Sequence, residues 1–250
     1  MSERIFIQVD LKQAESRFVA YDACDTNLIE CLEDPTRDIH SEVAAQIFEC
    51  PIEQVLSEKA AGDDSKRQLG KKSGHGANYG MAATTFMNSC LKELDLVITK
   101  DFAAKTLEAY HVLFPQIRPW HQSLRTEVYN TRKLTNPLGR VRYFYGRMDD
   151  STYREAYAYR PQSTVPDVVN HLILKLGDAR REGILDFWFH LQVHDSVVVS
   201  CNKKYLDRIA KFCLDTSLWH PEIVLKAGRL VIPTSVEYSA CLGEMQTYQG

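Results

Sequence analysis

IFIQVDLKQAESR, Ile5 to Arg17, is the segment around which the rest of the chain makes sense. IFIQVDL is short, apolar and β-branched, as a buried strand should be. It closes on an acid, Asp10, next to Leu11, and AESRFVAYDA continues as a helical or extended piece. A carboxylate at the end of a buried strand is costly unless it is paired, hydrogen-bonded or bound to metal. A second acid stands in a matching place. In FHLQVHDSVVVS the apolar runs HLQV and VVVS flank His194, Asp195 and Ser196, the pattern of a β-hairpin with a tight turn. Taken singly, Asp10 also reads as a helix N-cap and Asp195 as a turn former. If the strand and the hairpin are neighbours in one sheet, the two carboxylates converge. Two convergent carboxylates can hold two Mg²⁺ ions about 4 Å apart, the arrangement used for in-line phosphoryl transfer.

The 250 residues suffice for one large domain or two small ones, and 44% hydrophobic with 25% charged residues is an ordinary globular composition. No apolar run approaches the roughly 20 residues of a membrane helix, and MSERIFIQVD lacks the apolar core of a signal peptide. No membrane partner is expected. Seven cysteines, at 24, 31, 50, 90, 201, 213 and 241, form no CxxC pair, which argues against a zinc ribbon or a redox motif and for reduced thiols inside a cell. A net charge of −3 does not announce a nucleic-acid binder, but basic residues outnumber acidic ones from Arg118 to Arg147.

From Asp38 to Lys133 the pattern is mostly helical. HSEVAAQIF opens after Asp38, an N-cap, and Pro51 ends that helix; AATTFMNSCLKEL, DFAAKTLEAYHVLF and WHQSLRTEVYNTRK follow. LTNPLGRVRYFYG turns extended. A helix is expected from Arg154 to Arg181, with Pro161 and Pro166 interrupting its first half. Another is expected from Lys204 to Leu218, then a strand pair around Leu230 to Tyr238. Trp120, Trp188 and Trp219 read as core residues. The order of strand, helical block, then helix, hairpin, helix and strand gives an α+β fold with a helical insertion.

KRQLGKKSGHGANYGM, Lys66 to Met81, poses a separate question. Gly70-Lys71 is followed by Lys72 rather than Ser or Thr, so this is no Walker loop. Arg67, Lys71, His75 and Tyr79 recur every fourth residue, which aligns them on one face of a helix. Two cations, an imidazole and a phenol suit a triphosphate and a base. Each glycine costs a helix roughly 1 kcal/mol relative to Ala, so a basic loop is the competing reading.

With these segments in place the chain resembles the family A DNA polymerases, the bacterial DNA polymerase I type. DLKQAESR matches motif A through Asp10, Gln13, Glu15 and Arg17. The glycine-rich stretch is similar to motif B of the mobile fingers helix through Arg67, Lys71, Gly76, Tyr79 and Gly80. QVHDSVVVS resembles motif C through His194 and Asp195. DIHSEVAAQIF, through His40, looks like the helix that opens the fingers, while LFPQIRPWHQSLR and NPLGRVRYF look like the later fingers helices and the return to the palm. Arg154 and Gln162 sit at the spacing of the helix that touches primer and template. The resemblance covers nearly the whole chain, with three motifs in order.

The resemblance implies an antiparallel-sheet palm, residues 1–36 and 135–250, with a helical fingers insertion at 37–134. Asp10 and Asp195, with the Leu11 carbonyl, are implied as ligands of two Mg²⁺ ions. Arg67 and Lys71 grip the triphosphate of a dNTP as the fingers close, and Lys71 neutralises or protonates the leaving pyrophosphate. Tyr79 lies near the template base. Glu15 closes the floor beneath the sugar and excludes a 2′-hydroxyl, while Gln13 and His40 border the sugar-phosphate. Arg154, Gln162, His194 and Arg140 hold the primer-template. The glycines keep the helix face lean so that a nucleotide can approach. The cytoplasm of a bacterial or phage-infected cell is the implied location.

Two departures stand out. Motif C usually reads His-Asp-Glu, and here it reads His-Asp-Ser, so Ser196 brings no third charge to the metals. His75 stands where Phe or Tyr is usual, beside the sugar. One rival is a fragment of a single-subunit phage-type RNA polymerase, which also carries His-Asp-Ser; Glu15 argues against it, because a ribonucleotide needs room at that point. Another is a polymerase-like subunit that binds DNA without catalysis, against which Asp10, Asp195 and Lys71 speak. Only nine residues precede Asp10. A thumb and the first palm strands do not fit there, so the expectation is a split or truncated polymerase. Its partner would be a second polypeptide with the thumb and remaining palm, an exonuclease being optional. An unpaired apolar edge is expected near IFIQVDL and the VVVS strand, and weak DNA binding by the chain alone.

Overall fold

The structure, a computed structural model, describes residues 3–249; Met1 and Ser2, which head the first expected palm segment, and Gly250, which ends the last, lie outside them. The strands are β1 (Arg4–Leu11), β2 (Lys133–Thr135), β3 (Val141–Tyr143), β4 (Trp188–Val193), β5 (Ser196–Asn202), β6 (Val224–Leu225), β7 (Gly228–Arg229), β8 (Thr234–Ser239) and β9 (Gln246–Thr247). The helices are α1 (Ala14–Ala23), α2 (Thr26–Glu33), α3 (Ile39–Phe48), α4 (Ile52–Ala60), α5 (Ser65–Asn78), α6 (Ala83–Leu94), α7 (Lys100–Leu113), α8 (Ile117–Thr131), α9 (Asp150–Arg181) and α10 (Leu206–Leu214). The α+β class expected from the sequence is what the chain adopts.

One antiparallel sheet runs in the order β4-β5-β1-β8-β9. Along β1 the side chains of Ile5, Ile7, Val9 and Leu11 are buried while Gln8 and Asp10 are half-buried, the period of two that gives a strand a core face and an open face. β5 is buried on both faces from Ser196 to Cys201, as its unbroken VVVS run requires. The core divides into two clusters. One packs β1, β5, α10 and the second half of α9; the other packs α3, α5, α7, α8 and the first half of α9. α1 and α9 belong to both, and so tie the sheet to the helical block.

Four expectations are corrected. α9 runs unbroken through Pro161 and Pro166. Each proline removes one helical hydrogen bond, a cost of roughly 3 kcal/mol, but packing on both sides outweighs it. Tyr157 stacks on His121 at 4.1 Å, Pro161 is buried, and Arg160 reaches Glu127 at 2.9 Å and Asp22 at 3.5 Å. The helix expected from Lys204 to Leu218 is divided into a 3-10 turn, α10 and a second 3-10 turn at Thr216–Leu218. Asp215 leaves the helical region there and its carboxylate accepts from the Ser217 amide. In place of a strand pair at Leu230 to Tyr238, β8 pairs with β1, whereas Leu230 and Ile232 enter the core as irregular chain. β1 and β5 are interior strands, yet an apolar open edge does lie beside the VVVS strand, as expected. That edge is β4, where Trp188, Phe189, Leu191 and Val193 are all exposed; the short β9 forms the opposite edge. Trp188 is thus a surface residue, while Trp120 and Trp219 are buried as expected. All seven cysteines are free thiols, and no helix among the described residues is long and apolar enough to cross a membrane.

Candidate active site

The stretch between β1 and α1 is held from both sides. The Leu11 amide donates to the Asp195 carbonyl at 3.1 Å, and the Lys12 amide donates to the Pro233 carbonyl at 2.8 Å. Gln13 takes a left-handed conformation, φ 50°, to turn the chain into α1. Across from it, β4 and β5 are joined by the two-residue turn His194-Asp195, with His194 also left-handed at φ 52°. The register sets Asp10 opposite Ser196, so the motif A acid and the hairpin tip are neighbours in one sheet. The Ser196 hydroxyl donates to the Val193 carbonyl at 2.9 Å and closes the turn.

Asp10 responds to this crowding. Burial, then the Asp195 carboxylate, then Glu237 on β8 raise its pKa to about 6, and no cation offsets them. The pair of Asp10 and Asp195 fits a hard divalent cation, whose charge would favour the ionised form of Asp10. Among the described residues no group of three or more His, Cys, Asp or Glu side chains stands in metal-binding geometry. Protein donors for such an ion would come from this pair and from backbone oxygens such as that of Leu11.

Facing the carboxylates is α5. The fourth-residue row is helical as expected, with Tyr79 one residue past its last turn. The glycines also serve packing. A Cβ on Gly70 would lie 2.2 Å from the His40 carbonyl oxygen, and one on Gly74 would lie 3.1 Å from the Tyr110 ring. Their absence lets α5 press against α3 and α7, and both glycines also line the cavity between α5 and the sheet.

A cavity of about 550 Å³ opens between α5 and the sheet. Gln13 and Glu15 from α1 and its cap, His40 from α3, Lys71 and His75 from α5, Gln162 from α9, and His194 with Asp195 from the hairpin all line it. Burial, chiefly, and then the cations Arg67 and Lys71 depress the pKa of His40 to about 4, so its imidazole is neutral at pH 7. The Tyr79 hydroxyl donates to the Glu15 carboxylate, and the Tyr79 ring meets His75 edge-on at 5.1 Å. Burial and the Glu15 charge keep the Tyr79 phenol protonated.

Other expected site residues lie outside the lining. Asp10, the fully buried Leu11 and Tyr79 are among them. Arg67 is turned to Asp38, its Nε 2.6 Å from a carboxylate oxygen, with Asp64 at 3.8 Å. Arg154 is exposed on α9, its stem beside Gly80. Arg140 is held by Asp167 through Nε and Nη2, away from the cavity. Sequence reading missed Tyr110 and Pro166 as lining residues and Asp38 as the partner of Arg67. Tyr110 carried only a core signal, and Asp38 only that of a cap, which it also is, accepting from the His40 amide.

Fold and site together define an α+β protein in which a hairpin-tip carboxylate, Asp195, faces a cation-bearing helix across a cavity, with Asp10 on the adjoining strand. The chain belongs to DNA polymerase family A, whose model matches residues 1–241. It is similar to DNA polymerase I of Geobacillus stearothermophilus, 25% identical over 94% of this chain and 25% of the relative. It is also similar to the thermostable DNA polymerase I of Thermus aquaticus, 26% identical over 93% of this chain and 26% of the relative. The chain therefore spans about a quarter of the length of these relatives. Among solved structures, the POL domain of Pol1 from M. smegmatis in complex with DNA primer-template and dNTP shares the fold. Its TM-score is 0.75 at 22% identity, over 94% of this chain and 39% of that one.

Proposed function

We propose that this chain is the palm-and-fingers part of a DNA-directed DNA polymerase that adds dNTPs to a primer 3′ end. The palm comprises residues 1–36 and 135–250, and the fingers residues 37–134. One observation carries the reading: three sequence motifs far apart in the chain deliver their polar residues to one cavity. The cavity's two walls have opposite charge, as a nucleotide triphosphate and its metals require.

In this reading Asp10 and Asp195, with the Leu11 carbonyl, hold two Mg²⁺ ions, which supply charge neutralisation and alignment for phosphoryl transfer. Lys71 lies in the cavity to neutralise the pyrophosphate. Neutral His40 and Gln13 donate hydrogen bonds along the sugar-phosphate. Glu15, fixed by Tyr79, blocks the 2′ position, which favours deoxynucleotides and speaks against the RNA polymerase alternative. His75 flanks the sugar. Gln162, Arg154 and His194 steady the primer-template. Arg67 joins the triphosphate only by leaving Asp38, and Arg140 acts by orienting the loop near Asp167. Charge-bearing Asp10, Asp195 and Lys71 make a non-catalytic DNA-binding role the weaker alternative.

The partner in this reading is a second polypeptide with the thumb and remaining palm, with or without an exonuclease. The apolar, unpaired β4 edge is where its strands would add. The setting is the interior of a bacterial or phage-infected cell. Primer extension tests the proposal: the purified chain, with Mg²⁺ and a primed template, is expected to add templated dNTPs weakly and in a salt-sensitive way. Untemplated addition, or none even at low salt with excess DNA, would contradict it.

A further inference from the structure

The hairpin of β2 and β3 is small, yet it presents an unusual surface. Its inner side is ordinary: Leu134 and Phe144 are buried. Its outer side is not. Lys133 pairs with Tyr143 and Thr135 with Val141, and all four are exposed. Tyr145, two residues past Tyr143, falls on the same side. Tyr143 is 54% exposed and Tyr145 88%, and their rings lie nearly parallel, 16° apart with centroids at 5.9 Å. Two large aromatic rings ordered side by side in solvent do nothing for the core. Their surroundings are basic. Arg140 and Arg142 are neutralised by Asp167 and Glu155. Arg132 instead donates to the Gly146 carbonyl, and exposed Lys133 and Arg147 add two more cations to the rim, Arg147 close enough to Asp149 to feel its charge.

We infer that this outer face binds an unpaired nucleic-acid strand, its bases stacking on Tyr143 and Tyr145 and its phosphates meeting Lys133, Arg132 and Arg147. Parallel exposed aromatics beside a basic rim are the chemistry of sequence-tolerant single-strand binding. A protein partner would call for a wider apolar patch and would gain little from the cations. The face lies apart from the cavity: none of its residues lines it. The inference deepens the proposed function, since a templated polymerase must handle a single-stranded template, and it rests on that reading for its purpose only.

The test uses the full chain and a fluorescent oligo(dT) without primer, dNTP or divalent metal, so that it is blind to catalysis. Fluorescence anisotropy over a salt series reads affinity. Tyr143→Ala with Tyr145→Ala is expected to weaken binding about tenfold or more, while the corresponding Phe variants bind like wild type. Lys133→Gln with Arg147→Gln should flatten the salt dependence. An unchanged thermal midpoint in the Ala variant shows that the fold is intact. Equal affinity in the Ala variant and wild type, or loss in the Phe variant, would overturn the inference. So would self-association through this face without oligonucleotide binding. Failure of primer extension with oligonucleotide binding intact would count against the polymerase reading alone.

Discussion

The two walls of the cavity are built on opposite terms. The sheet wall fixes its charges by backbone: β1, β5 and β8 lock Asp10 beside Ser196, and the Leu11 amide ties the strand end to Asp195. There Asp10 is repelled by Asp195 and Glu237, with no cation among the causes of its shift. The helix wall fixes its charges by side chains. Arg67 is paired with Asp38, Lys59 shares that carboxylate at 3.0 Å, and Tyr79 is bonded to Glu15. One wall crowds its carboxylates in a rigid frame, and on the other Arg67 is already paired and must exchange partners to bind a ligand. The contrast teaches that the sheet supplies the demand for cations and the helix supplies adjustable grip.

Breaking the sheet wall should have the largest effect. Asp10→Asn or Asp195→Asn is expected to lower single-nucleotide incorporation by about a thousandfold or more, about 4 kcal/mol of barrier, while sparing the fold. Rapid-quench incorporation measures it. Near-normal rates in either variant would remove the metal assignment. On the helix wall, Gly70→Ala should destabilise the protein by about 3 kcal/mol, since the new methyl meets backbone of α3, which cannot step aside. Urea unfolding reads this. An unchanged midpoint would mean that α3 and α5 are not in close contact. Lys71→Ala should lower incorporation by roughly a hundredfold without altering stability.

These two walls were legible to different degrees in the sequence. Asp10 and Asp195 could be paired because strand alternation and a tight turn are local patterns, and one sheet suffices to bring them together. The helical row of Arg67, Lys71 and His75 was equally local. What escaped was set by contacts between distant segments. Gly70 faces a carbonyl thirty residues earlier, and Arg67 pairs with Asp38, which by itself shows only its capping role. Pro161 and Pro166 read as interruptions because proline's local cost is plain, while the packing of Tyr157 and Arg160 that outweighs it is not. The position of the open edge depended on β8 covering β1, a pairing across more than two hundred residues.

Smaller effects sharpen the comparison. Glu15→Ala should open the 2′ position and raise CTP use relative to dCTP by about tenfold, read as a ratio of single-turnover efficiencies. Unchanged selectivity would deny Glu15 the steric role. The smallest effect concerns the strain on Asp10. Its folded pKa, about 6, exceeds the ordinary carboxylate value of 3.8, so the folded chain holds this proton longer than the unfolded chain. Stability from this group is therefore full below about pH 4 and is lost as pH rises through about 6. The loss is about 1 kcal/mol after allowing for solvent screening of a half-buried group. Asp10→Asn should abolish that slope in pH-dependent melting of the metal-free protein, and retention of the slope would show that another group causes it.

The central claim is that cations demanded by the sheet wall drive templated nucleotide addition. A Mg²⁺ titration of single-turnover dCMP incorporation tests it directly, with the chain at low salt and excess hairpin DNA templating dG. The account predicts that incorporation depends on Mg²⁺, follows the template, and is lost in Asp195→Asn. Incorporation independent of Mg²⁺, or equal in Asp195→Asn and wild type, would contradict it.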